Sequence, residues 1–458
     1  MKRISILVGI LAVVLLSTGA LLFLVLQKDL EPLNVQQDAT NTSENILNSD
    51  GGVTDQIPTR WAGLIGTPDG LLSVYPENGD VGQSSHFLPP GVPLDFFQSL
   101  TDYDDRAREN FMQLLEDGRL IFKGHPNIAS APKQNTLYIW PLKSSEAPKP
   151  FFQTQENLRI YFFALSEDMS KVAIISSRLS DDEIRSGDIP QATSAEEFFR
   201  LIEESEEELR KISIYNINSK ELVSTIQLDE SNQIRTTSLM WGTDTLVVVS
   251  NELGVYNPET GQKVLSLNPP TSAPLLYSIS ISPNGDRYYN SYTRETRHIR
   301  SNQLLSRLSA LELASDRSID PNGNLDQQIG FLGPSTFSTD SSKILVQAGS
   351  VSFRNFMVWE LDVENDSTKK IGDLSTLIPV QNKPSVGSEA YTFNFLVYHP
   401  FGQEALFALY QTPPNRVGST DVFLVNLESQ EAQHLAGPFS AGNLRAISFI
   451  GWYREKIE

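Results

Sequence analysis

The sequence contains no cysteine. Disulfides, thiolate nucleophiles and cysteine-ligated metals are therefore excluded, and so is membrane attachment through a lipidated cysteine. A cysteine-free chain is at home on either side of a bacterial membrane, so the absence fixes no compartment. Basic residues are scarce as well. Lys and Arg total 36 against 56 Asp and Glu, which leaves a net charge of −20 and a pI of about 4.7. Nucleic acid is disfavoured as a partner, because phosphate binding needs a basic footprint. The five histidines (His86, His125, His298, His399 and His434) are scattered and show no metal-ligand spacing. No Gly-x-Ser-x-Gly elbow occurs either.

What is present is a repeat. Phe337-Ser338-Thr339-Asp340-Ser341-Ser342-Lys343-Ile344-Leu345-Val346 reads as strand, tight turn, basic exit and buried strand. Leu165-Ser166-Glu167-Asp168-Met169-Ser170-Lys171-Val172 repeats it closely, and Ile281-Ser282-Pro283-Asn284-Gly285-Asp286-Arg287-Tyr288 keeps the turn and the basic exit. Tyr398-His399-Pro400-Phe401-Gly402-Gln403-Glu404 loses the basic residue, and Met240-Trp241-Gly242-Thr243-Asp244-Thr245 is shorter. His399 thus occupies a turn, a structural position. The copies begin at 165, 240, 281, 337 and 398, and a four-stranded blade takes roughly 40–50 residues, so the wider gaps carry insertions.

Each turn is followed by an alternating strand that ends in a hairpin. Examples are Ile212 to Ile217, Gly254 to Pro258, Phe356 to Leu361 and Val422 to Leu427. Period-two alternation of this kind argues for antiparallel strands. The combination resembles the WD-repeat-like units of TolB-type extracytoplasmic β-propellers, whose turn reads FSPDG(K/R). The resemblance implies an all-β fold: a single β-propeller of about seven four-stranded blades, with six or eight as alternatives. It carries no activity with it, because propellers host unrelated functions. With no nucleophile elbow, a hydrolase fused to the propeller is not expected. The turn at 338–343 lacks the glycine and aromatic of a sialidase Asp box.

The chain organises itself around that domain. Lys2 and Arg3 precede Ile4 to Leu26, a run without a charge that is long enough to span a bilayer. Positive charge before the run, with Asp29 and Glu31 after it, predicts a cytoplasmic N-terminus (1–3), a transmembrane signal anchor (4–26) and a propeller outside, in the periplasm or at the cell surface. A cleaved signal peptide ending near Ser17-Thr18-Gly19-Ala20 is the rival, but the apolar run continues past it. Residues 27–57 are polar and read as a flexible stalk. The sequons at Asn41 and Asn365 are short patterns of little weight. The propeller is expected over 58–458, opening with the strand–turn–strand Leu64 to Tyr75.

Two helical insertions are expected. One covers about 103–117, with Phe111, Leu114 and Leu115 on one face and Gly118 as its stop. The other covers about 194–211: Ser194 and Glu197 form a capping box, and Phe198, Leu201, Ile202 and Leu209 form an apolar stripe. Its glutamates suit a solvated helix laid against a blade, or a docking surface for a basic partner. The C-terminal Leu444 to Trp452 resembles the opening of a repeat at Thr237 to Gly242. Completing the blade begun near residue 61 would close the ring and remove its open edges.

Candidate chemistry is sparse. Asp320, Asn322, Asn324 and Asp326 alternate around Gly323 as in a calcium loop, but no Glu follows at the twelfth position, and a plain Pro-Asn-Gly turn explains them. No other cofactor is implied. Arg287, Arg294, Arg297, His298, Arg300 and Arg307, interleaved with Tyr288, Tyr289 and Tyr292, form a basic stretch in an acidic chain. It suits an anionic glycan or an envelope protein, and the alternative is pairing with carboxylates of neighbouring blades. The reading is a monomeric, membrane-anchored binding or scaffold module, not an enzyme. A glycan lyase or hydrolase with carboxylates converging in the central channel is the first alternative, and a structural spacer the second.

Overall fold

The repeated turn folds the same way wherever the sequence spells it. In one copy Lys171 N donates to Ser166 Oγ at 2.9 Å, and Asp168 Oδ1 accepts from Ser166 Oγ, Ser170 N and Ser170 Oγ at 2.7–3.0 Å. Ser338, Asp340, Ser342 and Lys343 reproduce these bonds. At 282–287 the amide of Asn284 stands in for the aspartate. The next residue takes the left-handed region in each: Met169 (φ 55°), Gly285 (69°), Ser341 (63°) and Gly402 (72°). At Gly285 this geometry also brings the chain against the preceding repeat, where an added Cβ would lie 2.3 Å from Gly242 Cα.

The computed structural model describes residues 59–456 apart from 77–85, 95–110, 180–191 (Glu183 and Ile189 excepted), 230–237, 251, 268–278, 292, 309–328, 331–334, 351–355, 374–389, 413–417 and 442–446. The chain divides into two units, Met1–Gln56 and Ile57–Glu458. The expected anchor at 4–26 and stalk at 27–57 lie outside the described residues. Among those described, no helix is long and apolar enough to cross a membrane.

The second unit is a seven-bladed β-propeller. The first strands are β1 (Thr59–Thr67) and β2 (Gly70–Val74). Blade 1 follows with β3 (Met112–Leu114), β4 (Arg119–Lys123), β5 (Thr136–Pro141) and β6 (Lys149–Gln153). Blade 2 holds β7 (Arg159–Leu165), β8 (Lys171–Ser177), the inserted helix α1 (Ala195–Leu209), β9 (Lys211–Asn216) and β10 (Leu222–Gln227). Blade 3 is β11 (Ser238–Trp241), β12 (Leu246–Val249), β13 (Leu253–Tyr256) and β14 (Lys263–Leu267). Blade 4 is β15 (Ile279–Ile281), β16 (Arg287–Asn290), β17 (Glu295–His298) and β18 (Leu304–Arg307).

In blade 5 the first strand comes in two pieces, β19 (Ile329–Gly330) and β20 (Ser335–Phe337), both paired with β21 (Lys343–Ser350); β22 (Phe356–Asp362) and β23 (Ser367–Asp373) follow. Blade 6 is β24 (Ala390–Tyr398), β25 (Glu404–Thr412), β26 (Gly418–Asn426) and β27 (Ala432–Ala441). The last strand, β28 (Ser448–Lys456), pairs antiparallel with β1, so that β28, β1 and β2 make blade 7, and Phe87 bridges to Leu71 at its outer side. First strands of neighbouring blades lie side by side around the axis. The core is correspondingly divided into apolar layers between blades: Tyr289 meets Val346 and Trp359, and Val358 meets Leu396 and Phe407.

The helix at 194–211 is present as α1. Ser194 caps it by accepting from Glu197 N at 3.2 Å, while Glu197 reaches Thr193 N rather than that of Ser194. The helix expected at 103–117 needs correction. Residues 112–114 are strand β3, Phe111 sits in a turn, and Gly118 (φ 80°) closes the β3–β4 turn by donating to Leu115 O; residues 103–110 lie outside the described ones. Leu115-Glu116-Asp117-Gly118-Arg119 is a further copy of the repeated turn, and pairing with β4 and packing against β28 take the apolar spacing of Phe111, Leu114 and Leu115 out of the helix.

Ring closure is fastened by side chains. Glu455 on β28 accepts from Arg60 Nη2 on β1 at 2.8 Å, from Tyr75 Oη at 3.1 Å and from Lys143 Nζ of blade 1 at 2.5 Å. Trp452 Nε1 donates to Tyr398 O of blade 6 at 2.7 Å, as Trp241 Nε1 does to Ala164 O of blade 2 at 2.8 Å. Burial alone would raise the Glu455 carboxyl, but the bonds from Lys143, Arg60 and Tyr75 hold it below its ordinary value. The stability it contributes is therefore present above its ordinary value of 4.5 and lost as the pH falls. Replacing Glu455 by Gln is expected to cost about 2 kcal/mol at pH 7 in urea unfolding, with the gap to wild type closing below pH 4.5. An equal gap at both pH values would contradict this account of the latch.

Candidate functional site

The two faces of the ring are built differently. One carries the turns that join first to second and third to fourth strands, and these are short and alike. Asn216, Asn257, Asp362 and Asn426 each accept from backbone N–H groups two and three residues on. The apolar residue after the cap bonds back to the other turn of its own blade: Ile217 N to Ser170 O, Ile299 N to Asp286 O, Val363 N to Ser342 O and Leu427 N to Gln403 O. The opposite face carries the remaining connections; among the described ones the β4–β5 connection (124–135) and the β8–β9 connection with α1 are the longer.

The basic stretch belongs to blade 4 and is divided between its two ends. His298 Nδ1 accepts from Ser301 N at 3.3 Å, in the place the Asx residues hold in other blades. Arg300 in the same turn pairs with Asp244 of blade 3. Arg287 donates to Ser341 O at 2.9 Å and lies 3.6 Å from Glu364, both on blade 5. Lys171 makes the equivalent contact two repeats earlier, with Glu259 of blade 3 at 2.6 Å. Toward the other end, buried Glu295 is held between Arg297 (2.8 Å) and Arg307. Arg294 takes a left-handed turn conformation (φ 61°), and burial pulls its guanidinium below the ordinary value. Tyr289 is fully buried, which pushes its phenol up, and Tyr292 lies outside the described residues. The structure thus gathers Arg297 and Arg307 around one carboxylate and ties Arg287 and Arg300 to neighbouring blades. It does not gather all eight residues on one surface.

Asp320, Asn322, Asn324 and Asp326 lie outside the described residues, and among the described ones no group of three metal-ligating side chains comes together. On the described innermost strands the one carboxylate is Glu455, engaged in the closure. His399 is buried in its turn, 4.9 Å from the Trp452 ring and 5.2 Å from that of Phe401, with its Nε2 lacking a bonding partner. Burial lowers its pKa from 6.5 to about 4.

A pocket of 610 Å³ opens on the face with the long connections. Its walls come from three segments: Pro126 and Pro132 to Asn135 in the β4–β5 connection, Gln153 and Glu156 to Arg159 around the β6–β7 connection, and Arg178, Leu179 and Leu201 from the end of β8 and from α1. The first two are stitched together by Thr154 N to Asn135 O and Ile160 N to Gln134 O, both 2.9 Å. Arg178 clamps α1, meeting Glu204 at 2.5 Å and Glu208 at 2.8 Å, and Arg159 holds Glu183 at 2.5 Å. Nothing in the sequence order points to this site, because its residues come from two blades and an insertion. The unusual length of the 178–210 connection is the signal that could have led there.

No family model and no curated protein matches the chain. Among solved structures it is similar to a chain of the mitotic checkpoint complex (10% identity, 78% of this chain and 82% of that one, TM-score 0.40). It is also similar to the Cps50 (Swd1) β-propeller domain of Myceliophteria thermophila (9%, 76% and 96%, 0.39) and to a Lactobacillus plantarum protein (10%, 86% and 100%, 0.44). The strand pairing by itself makes the chain a seven-bladed β-propeller.

Two predictions separate structural from surface charges. Glu295→Ala leaves Arg297 and Arg307 without their shared acceptor and is expected to cost about 2 kcal/mol, whereas Arg300→Ala breaks an exposed pair and costs about 0–1 kcal/mol. Thermal melts of both variants check the order, and equal losses would refute it. For His399, a folded pKa below 6.5 means that the unfolded chain takes up the proton first. Stability is then full above pH 6.5 and falls as the pH approaches 4, by about 3 kcal/mol at most. Urea midpoints across that range should slope for wild type and lose this part of the slope in His399→Gln. Identical slopes would rule it out.

Proposed function

We propose that this chain is a binding or scaffold module. The observation that carries the reading is the contrast between the faces among the described residues: one is a set of near-identical turns, while the other carries the longer β4–β5 connection and α1 around a preformed pocket. Insertions confined to one side of a repeat architecture are where such folds place recognition, and a pinned wall lowers the ordering cost of binding. The charge-free run at 4–26, flanked by Lys2 and Arg3, supports a membrane anchor with the propeller outside, and so a partner in the cell envelope, protein or glycan. The basic residues of blade 4 remain candidates for contact. Arg300, being exposed and singly paired, is the one whose loss tests them without disturbing the Glu295 clasp.

The test is recovery of partners from solubilised membranes by the full chain, by a Leu201→Arg variant that obstructs the pocket, and by Arg300→Ala. Loss of the same partner with Leu201→Arg alone is the expected outcome. Loss with Arg300→Ala alone would move the interface to blade 4, and recovery of nothing by any form would remove the binding reading.

A further inference from the structure

Resting on the binding-module reading, we propose that the pocket between blades 1 and 2 takes an extended peptide segment of a partner protein, with one aliphatic side chain seated on its apolar floor. The charges of the pocket decide against an ionic ligand. Arg159 pairs with Glu183, and Arg178 with Glu204 and Glu208, so each guanidinium is already opposed by a carboxylate. The side chains of Lys133 and Glu156 pair with no described residue, and their opposite signs cancel. An anionic polymer would find a single available cation there.

What the walls do offer is carboxamide. The side chains of Gln134, Gln153 and Asn157 make no bond to any described residue. Each presents a donor pair and an acceptor, which is the complement of a peptide backbone with its alternating N–H and C=O. Between them lie Leu158, Leu179, Leu201, Pro126 and Pro132, an aliphatic floor without one aromatic ring. A sugar offers the same hydroxyl-to-amide bonding, but the C–H face of a pyranose is best covered by a flat aromatic surface, which this lining does not provide. An aliphatic side chain needs no such platform and gains from the burial of each methylene. The volume of 610 Å³ falls within the range of about 300–1,000 Å³ usual for ligand pockets.

The absence of native cysteine gives a direct test. The full chain bearing Asn157→Cys is labelled with a bulky maleimide, and a second form bearing Lys220→Cys is labelled on the opposite face. Unlabelled protein in detergent is panned against a displayed library of linear seven-residue peptides and, in parallel, against an array of neutral oligosaccharides. The expected result is a set of peptides sharing one aliphatic position, whose affinity by fluorescence anisotropy falls at least tenfold on labelling at 157 and is unchanged by labelling at 220. The same peptides should weaken about tenfold for Gln134→Ala/Asn157→Ala with an unaltered melting temperature, the loss of one or two neutral hydrogen bonds. Peptides indifferent to the 157 label, oligosaccharides retained in a label-sensitive way, or no enrichment at all would each overturn the assignment. A partner recovered from membranes in a pocket-dependent way, with no peptide enriched, would do so while leaving the binding-module reading in place.

Discussion

The pairing of β1 with β28 is the constraint on which the rest depends. A blade exposes polar backbone at its edges and an apolar face on each side, and neither is covered until the ring is complete. The register from Thr59 opposite Lys456 to Gly66 opposite Ser448 supplies that completion. Backbone pairing alone would leave the junction no stronger than any other pair of strands. Glu455 adds charged bonds from β1 and from blade 1, and Trp452 adds a half-buried indole bond to blade 6, so that both neighbours of blade 7 grip the terminal strand. His399 packs against the same indole, and burial disfavours its charged form, so acid weakens the closure there as it does at Glu455.

Charge elsewhere serves the same end. In two copies the basic residue that leaves the repeated turn has a partner one blade on: Lys171 reaches Glu259, and Arg287 approaches Glu364, each carboxylate standing two residues after an Asx cap, whereas Lys343 meets Glu360 of its own blade. Blades 2 and 3 and blades 4 and 5 are thereby fastened in equivalent ways. This is why a short basic stretch can sit in a chain of net charge −20 without being surplus. Much of it is opposed locally, and Glu295 is the clearest case, a buried carboxylate whose desolvation is offset by two guanidinium groups.

How much of this was legible follows from the range over which each signal acts. The turns were readable because Ser, Asp and Lys bond within six residues, and the five copies found in the sequence are the first-to-second-strand turns of blades 2 to 6. The copy at Leu115 to Arg119 escaped, since Phe111, Leu114 and Leu115 stand at helical spacing and only pairing with β4, beside β28 of the next blade, makes residues 112–114 a strand. The helix α1 was legible from its cap and stripe because both are local. The pocket was not, because Lys133, Asn157 and Leu201 are brought together by the packing of two blades and an insertion. The arginines were conspicuous in sequence for a reason the sequence could not supply: which carboxylate each would meet depends on the neighbouring blade.

That division also separates stability from recognition in space. The face of uniform turns has its polar groups spent on one another, cap to backbone and turn to turn, so changes there register first as lost fold. On the other face, Arg178 spends its charge on α1 and Arg159 on Glu183, which fixes the walls, while the amides of Gln134, Gln153 and Asn157 are left unspent. A side chain kept unbonded beside a rigid wall adds nothing to folding. On the proposed reading, amides that water solvates in the free protein and that a fixed wall presents are the groups a partner would meet, whereas the charges of blade 4 are already opposed by Glu295 and by neighbouring blades.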